Sequence, residues 1–218
     1  MATRKEIQDA YIDYVLTEGE RPKSVYVFAR QHQFQEQEFY THFGSFDGIE
    51  QSVWSDLADE CIREIRKQEV WPEYSAREKA LSFFYSFFEL IKSRRSFVVY
   101  SLERMPSSLS TPLVLTAFRD RFESFAGEII DEGIASGELA DRRFFAERYK
   151  HALWLQLGFV LKFWVKDASA GFEKTDEAIE RGVNVTFDLF ETSAFDNLLD
   201  YGKFIFQNRN GSRQSTTV

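Results

Sequence analysis

Apolar residues recur at spacings of three and four along almost the whole chain, and no stretch alternates apolar and polar between turn residues. That pattern predicts an all-α protein. Thr3-Arg4-Lys5-Glu6 reads as a capping box opening a first helix, which turns Ile7, Ala10, Tyr11, Tyr14 and Val15 inward and stops at Gly19. Two short helices follow, near residues 24–31 and 35–42. A fourth runs from Ser45 to about Lys67 with Ile49, Val53, Trp54, Leu57, Cys61, Ile62 and Ile65 on its apolar side. A second capping box, Ser75-Ala76-Arg77-Glu78, opens a fifth helix bearing Phe83, Phe84, Phe87, Phe88 and Ile91; a short sixth carries Phe97, Tyr100 and Leu102 before Pro106. After a Ser-rich loop, Pro112 is placed to start a seventh helix that reaches Ala135. Asp141 is expected to cap the eighth, which runs to about Val165, and Thr175 the ninth, whose stripe is Ile179, Val183, Phe187 and Phe190. A tenth helix, Phe195 to Phe206, precedes a polar tail at 208–218 of the kind that stays disordered.

The second and third helices are too short to bury much alone, so they must pack on neighbours and display one helix outward. Val25, Phe28 and Ala29 form one apolar face, Phe34 sits in the turn, and Phe39, Tyr40 and Phe43 form the next. The layout is that of a helix-turn-helix. Ser24, Val25, Phe28, Ala29, Phe34, Phe39, Tyr40, His42, Phe43 and Ser45 resemble the motif of the TetR/AcrR family of bacterial repressors. Glu132-Gly133-Ile134-Ala135-Ser136-Gly137-Glu138-Leu139 is similar to that family's link between helices seven and eight.

The resemblance implies a TetR-like fold with a helix-turn-helix head over 1–46, a helical ligand-binding and dimerisation domain over 47–207, and the tail. It also implies a homodimer joined through helices eight and nine and an operator DNA as partner. Gln35, Gln37, Tyr40 and His42 would then face the major groove or its phosphates, with Lys23, Ser24 and Tyr26 on the flanking backbone; amide side chains favour adenine edges. For His42, a phosphate contact and a helix-packing role both stand open. The chain departs from the family pattern at three places. Gln33 occupies the turn where glycine is usual, Gln35-Glu36-Gln37-Glu38 opens the recognition helix with two carboxylates, and Phe46 stands where a basic residue is expected. Residues 1–47 hold five Lys/Arg (Arg4, Lys5, Arg21, Lys23, Arg30) against eight Asp/Glu (Glu6, Asp9, Asp13, Glu18, Glu20, Glu36, Glu38, Asp47), a net of −3. Phosphate neutralisation supplies most non-specific DNA affinity, so this is a weak electrostatic footprint.

Composition narrows the rest. A net charge of −8 argues against a dominant polyanion-binding role. The single cysteine, Cys61, permits no internal disulfide and lies on an apolar stripe, where it reads as core filler. The N-terminal residues are charged, no apolar run reaches membrane-spanning length, and a cytoplasmic location is expected. No nucleophile elbow, phosphate loop or paired metal ligands occur, and His32, His42 and His151 are scattered, so neither enzyme chemistry nor a cofactor or metal is expected. His151 falls to the pocket, the interface or a satisfied place in the core.

The chain holds 23 Phe, 9 Tyr and 4 Trp, and the rings concentrate on helices four to eight. Most must be core, yet aromatic-lined gaps between bundle helices are common ligand sites. Trp54, Phe84, Phe87, Phe88, Tyr100, Phe118, Phe122, Trp154 and Phe159 are the candidates to line an elongated cavity between helices four, five, seven and eight. Few charges share those faces, so the ligand should be a hydrophobic small molecule or lipid, such as an acyl or isoprenoid chain. Helix eight is apolar nearly all round, which a helix tolerates only when buried on more than one side. That fits one face on the pocket and one on a partner, with Gly158 permitting close approach; a central helix in a monomer is the alternative. Two functions remain: a ligand-responsive transcriptional regulator, or a TetR-fold lipid- or isoprenoid-binding protein that has lost DNA binding. The second is similar in architecture to ubiquinone-biosynthesis accessory proteins.

Overall fold

The computed structural model describes residues 1–103, 111–140 and 146–191, and helices account for most of them. The chain forms α1 (Arg4–Glu18), α2 (Val25–Gln31), α3 (Glu36–His42), α4 (Phe46–Arg66), α5 (Ala76–Lys92), α6 (Arg95–Glu103), α7 (Thr116–Ser136), α8 (Ala146–Lys166) and α9 (Glu173–Glu191). Short 3-10 turns stand at Trp71–Glu73, Leu113–Leu115 and Ala170–Phe172. The expected tenth helix, the tail, the Asp141 cap and most of the Ser-rich loop lie outside the described residues.

Both expected capping boxes form. The Thr3 hydroxyl accepts the Glu6 N–H while the Glu6 carboxylate takes the Thr3 N–H at 2.7 Å, and Ser75 and Glu78 do the same for α5. These bonds satisfy donors that a bare helix start leaves orphaned. Ser45 caps α4 by accepting the Gly48 N–H at 3.1 Å. At the other end of α7, Gly137 takes the left-handed conformation (φ 79°) that terminates the helix, a geometry cheap only for glycine.

Two starts differ from the sequence expectation. Pro112 precedes the 3-10 turn at Leu113–Leu115, and α7 begins only at Thr116. Thr175 lies inside α9 rather than before it, and its hydroxyl and N–H both donate to Asp167, at 2.7 and 3.0 Å. Asp167 therefore caps the first turn of α9 and also takes the Ser169 N–H and hydroxyl. Burial pulls the Asp167 carboxyl upward, but these four hydrogen bonds outweigh it and hold the group at about 2.

α1 to α3 pack as the head, and α4 leads from it into a body in which α4 lies on α5 and α7, α7 on α8, and α8 and α5 on α9. The head returns to the body through α1, which rests on α6. Tyr11 donates to the buried Glu50 at 2.6 Å, and Arg21 grips the same carboxylate at 2.8 Å while pairing with Asp47 at 2.6 Å. This network ties α1 and the α1–α2 link to the first turns of α4. Close approaches in the body occur between α7 and α5, where a Cβ on Gly133 would meet Ala76 and Leu139, and between α8 and α9, where one on Gly182 would collide with the Gln156 amide. Gly158 has open space around it instead, so it permits no intramolecular contact of that kind.

Candidate functional site

Phe28 and Phe39, both fully buried and 6.4 Å apart, anchor the head, and rings of Tyr11, Phe34 and Phe46 close on them at 5.4–6.2 Å. The turn between α2 and α3 is made by Gln33 at φ 59°, with the Phe34 N–H returning to the Ala29 carbonyl at 3.1 Å. A non-glycine residue thus occupies the left-handed geometry for which the motif ordinarily uses glycine, at some cost in strain.

This arrangement leaves the candidate DNA-facing residues at the surface. Tyr26 and Tyr40 are 56% and 54% exposed, and Lys23, Gln35, Gln37 and His42 are exposed as well. Ser24 is also exposed, but its hydroxyl is engaged as the α2 cap, accepting the Val27 N–H at 3.2 Å. The His42 ring nitrogen Nε2 lies 3.2 Å from the Ala2 carbonyl and donates to it in the matching tautomer, a contact within the head.

Two sequence expectations about this surface need correcting. Glu38 does not face outward: its carboxylate turns back to accept the N–H groups of Gln35 at 2.7 Å and Ala2 at 2.9 Å, which hold its carboxyl below the usual range. Only Glu36 adds an exposed negative charge to α3. Phe46 is not an idle replacement for a basic residue either, because its ring stacks on Tyr11 at 5.4 Å and meets Phe28 and Phe39. It is a half-buried member of the head's core.

The head's positive charge is further reduced by internal pairing. Arg4 is bound by Asp56 at 2.8 Å, Lys5 by Asp9 at 3.1 Å and Arg21 by Glu50 and Asp47. Lys23 and Arg30 are exposed and held by no carboxylate among the described residues. Arg30 was not singled out by sequence, although it stands four residues after Tyr26 on the same side of α2.

In the body, seven of the nine candidate ring residues come together. Phe118 is the hub, with Phe87 at 5.0 Å, Trp54 at 5.7 Å and Trp154 at 5.8 Å. Phe122 joins through Trp154 at 5.9 Å and Phe84 at 6.3 Å, and Phe88 through Phe87 at 5.7 Å. Phe83 and Phe125, neither among the sequence's site candidates, belong to the same network: Phe83 lies 5.1 Å from Phe122 and 5.2 Å from Phe125. Their signal was the helical spacing they share with Phe87 and Phe122. Separations of 5–6 Å are contact distances for aromatic pairs. The rings themselves fill the space where the sequence placed an elongated cavity, because each packs in contact with the next.

Polar groups sit at its edges. The Trp54 indole N–H donates to the buried Ser101 hydroxyl on α6 at 2.9 Å, and the Trp154 indole N–H to Thr111 at 3.2 Å. Tyr100 is half-buried on α6 and packs against the core. Cys61 is buried, and desolvation pushes its thiol up to about 12, so it is inert packing. His151 is exposed on α8, its Nδ1 3.3 Å from an Arg119 nitrogen, which removes the core reading. Among the described residues no group of three His, Cys, Asp or Glu is placed to hold a metal.

Phe159 is the second correction in the body. It is 63% exposed and lines no interior space. Leu155, Phe159 and Phe163 follow at i, i+4 and i+8 along α8, with Val185 and Leu189 exposed on neighbouring α9. The apolar coverage of α8 therefore divides in two. Leu153, Trp154, Leu157, Val160, Leu161 and Trp164 are buried in the body, and the other stripe faces out.

Residues 79–205 match the family described as tetracyclin repressor-like, C-terminal domain, a span that begins in α5 and leaves the head outside. Among solved structures, a TetR-family transcriptional regulator of Syntrophomonas wolfei is 19% identical, with a TM-score of 0.65 over 85% of this chain and 93% of that one. A TetR transcriptional regulator of Nitrosomonas europaea is 15% identical, with a TM-score of 0.59 over 85% and 98% of the two chains. The transcriptional regulator FadR of Bacillus subtilis, solved in complex with stearoyl-CoA, is 15% identical, with a TM-score of 0.54 over 87% and 98%. At these identities the likeness is one of fold. No curated protein matches the sequence.

Proposed function

We propose, for a chain that belongs to the TetR family of regulators by its tetracyclin repressor-like C-terminal domain, that it is a ligand-responsive transcriptional regulator binding operator DNA as a homodimer. The observation that carries this reading is the pairing of an exposed helix-turn-helix surface with an exposed apolar stripe on α8 and α9. A contiguous run of exposed large apolar side chains, unlike scattered single ones, marks contact with a partner. A two-fold axis through the stripe repeats the head, and two heads reading one duplex are what helix-turn-helix proteins need. Gln37 and Tyr40 on α3 and Tyr26 on α2 are the readers, with Lys23 and Arg30 on phosphates. A domain limit near 46 fits this division of labour, with the first turn of α4 packed into the head; the limit near 207 lies outside the described residues.

The effector is an apolar molecule that enters the ring cluster between α4, α5, α7 and α8. FadR, solved in complex with stearoyl-CoA, is a relative in fold. Trp54 joins the two ends of this chain's response. Its ring touches Phe118 inside the cluster, and its N–H holds Ser101 on α6, which rests on α1 of the head. An effector that moves the Trp54 ring breaks that hydrogen bond and frees α6, shifting the heads between DNA-binding and non-binding spacings.

The second reading, a lipid-binding protein without DNA, is favoured by one observation: three of the five basic side chains in the head are paired internally. Fluorescence anisotropy with DNA separates the two. The regulator reading expects saturable binding that Tyr40→Ala weakens and Phe159→Glu, which splits the dimer, abolishes. Equal, weak binding by all three proteins assigns the chain to the second reading.

A further inference from the structure

A cleft of about 460 Å³ separates the head from the body, walled on one side by α1 through Asp9, Ile12 and Leu16 and on the other by the α5–α6 turn, residues 92–97. Its volume falls within the roughly 300–1,000 Å³ range of small-molecule sites. Ile12, partly buried, and Leu16, exposed at the rim, make an apolar wall, with Phe97 buried beneath it. The cationic groups of the cleft are not equivalent. Glu89 holds Lys92 at 2.6 Å. Arg95 is turned to the end of α8, where it donates to the Trp164 and Val165 carbonyls at 3.0 and 3.1 Å and lies over the rings of Trp164 and Phe172. Arg94 is half-buried, and no carboxylate among the described residues engages it. The one carboxylate of the lining, Asp9, is paired with Lys5 at 3.1 Å.

We propose that this cleft binds a small organic monoanion with a flat apolar body, of the aromatic carboxylate class. Its carboxylate takes the forked donors of Arg94, and its body lies on Ile12 and Leu16. Arg94 is the one cation of the lining whose side chain has no hydrogen-bond or carboxylate partner among the described residues, so the cleft matches a single negative charge. One wall belongs to the head's first helix and the other to the body, so an occupant bridges the two and favours the head orientation that matches the cleft's width. This site is separate from the ring cluster, and its loss leaves the effector reading untouched.

The probe is 2-naphthoate added to the full chain, followed by calorimetry and by amide hydrogen exchange. The expected result is saturable binding of one molecule per chain, with exchange slowed in residues 9–16 and 92–98. Arg94→Gln weakens it by about tenfold or more, the worth of a charge-assisted hydrogen bond. Ser96→Trp, which fills the cleft from the exposed start of α6, abolishes it. The neutral analogue 2-naphthalenemethanol binds more weakly and is indifferent to Arg94→Gln. Three results overturn the proposal: no saturable binding up to millimolar 2-naphthoate, affinity unchanged in both variants, or slowed exchange confined to α7 and α8. The exchange pattern of the unmodified protein decides the matter even where a variant fails to fold.

Discussion

Replacing Phe46 with lysine restores the charge common at that position but should damage the head. Phe46 is half-buried, stacked on Tyr11 at 5.4 Å with an interplanar angle of 16°, and set edge-on to Phe28 at 5.7 Å and Phe39 at 5.5 Å. Truncating a fully buried Phe costs about 3–5 kcal/mol. Half burial reduces that figure, and three ring contacts, worth about 0.5–1.5 kcal/mol each beyond area, return part of it. Lysine keeps some contact through its methylene stem. A loss of roughly 2–3 kcal/mol follows, which in a chain of this size lowers Tm by about 5–10 °C. Differential scanning fluorimetry of Phe46→Lys beside Glu36→Lys provides the comparison. Glu36 is exposed and should stay within about 0.5 kcal/mol of the parent. A Phe46→Lys melt within a degree of the parent would refute the packing argument and return Phe46 to the DNA-facing surface.

Phe159→Glu places a charge in the middle of the exposed stripe and should convert a dimer to monomers in sedimentation velocity; a parent protein that is already monomeric at micromolar concentration contradicts the dimer. Gln33→Gly relieves a left-handed residue whose strain is about 1 kcal/mol, so it should raise Tm by a few degrees, and no gain means the turn is unstrained. Asp167 has a folded value of about 2, below the unfolded value of about 3.9. Its contribution is fully present above that unfolded value and is lost as pH falls through about 2. The Tm difference between the parent and Asp167→Asn should therefore be constant above about pH 5 and shrink between about pH 4 and 2; a gap that persists to pH 2 is evidence against the cap. Dodecanoate should change tryptophan emission by moving the Trp54 and Trp154 rings, and Trp54→Phe should remove much of that change. Emission that never responds places the effector outside the ring cluster.

The helices and their caps were legible because their signals are local: a spacing of three and four, a Ser or Thr with Glu three residues later, a glycine after the last turn. The ring cluster was legible for the same reason, since Phe84, Phe87 and Phe88 share one face of α5 and Phe118 and Phe122 one face of α7. What sequence misplaced depended on a third partner. Phe159 has the same spacing as its buried neighbours, and only the position of α9 shows that its side of α8 faces out. Glu38 reads as a charge on the recognition helix until Ala2 is folded against it. Phe46 reads as a lost cation until Tyr11 from α1 is stacked on its ring. Thr175 reads as a cap until Asp167, eight residues earlier, claims its hydroxyl and N–H.

The direct test of the account is selection of the dimeric protein against a random-sequence DNA library, followed by a salt titration on the winners. Lys23 and Arg30, exposed and without a carboxylate partner among the described residues, give four free cations per dimer, so the slope of log affinity against log salt should be no steeper than roughly −4. Glu36→Lys on both heads should strengthen binding and steepen that slope by up to about 2. The account predicts enrichment of inverted half-sites spaced by whole helical turns and bound at low salt. A dimer that enriches no sequence even at low salt would contradict it.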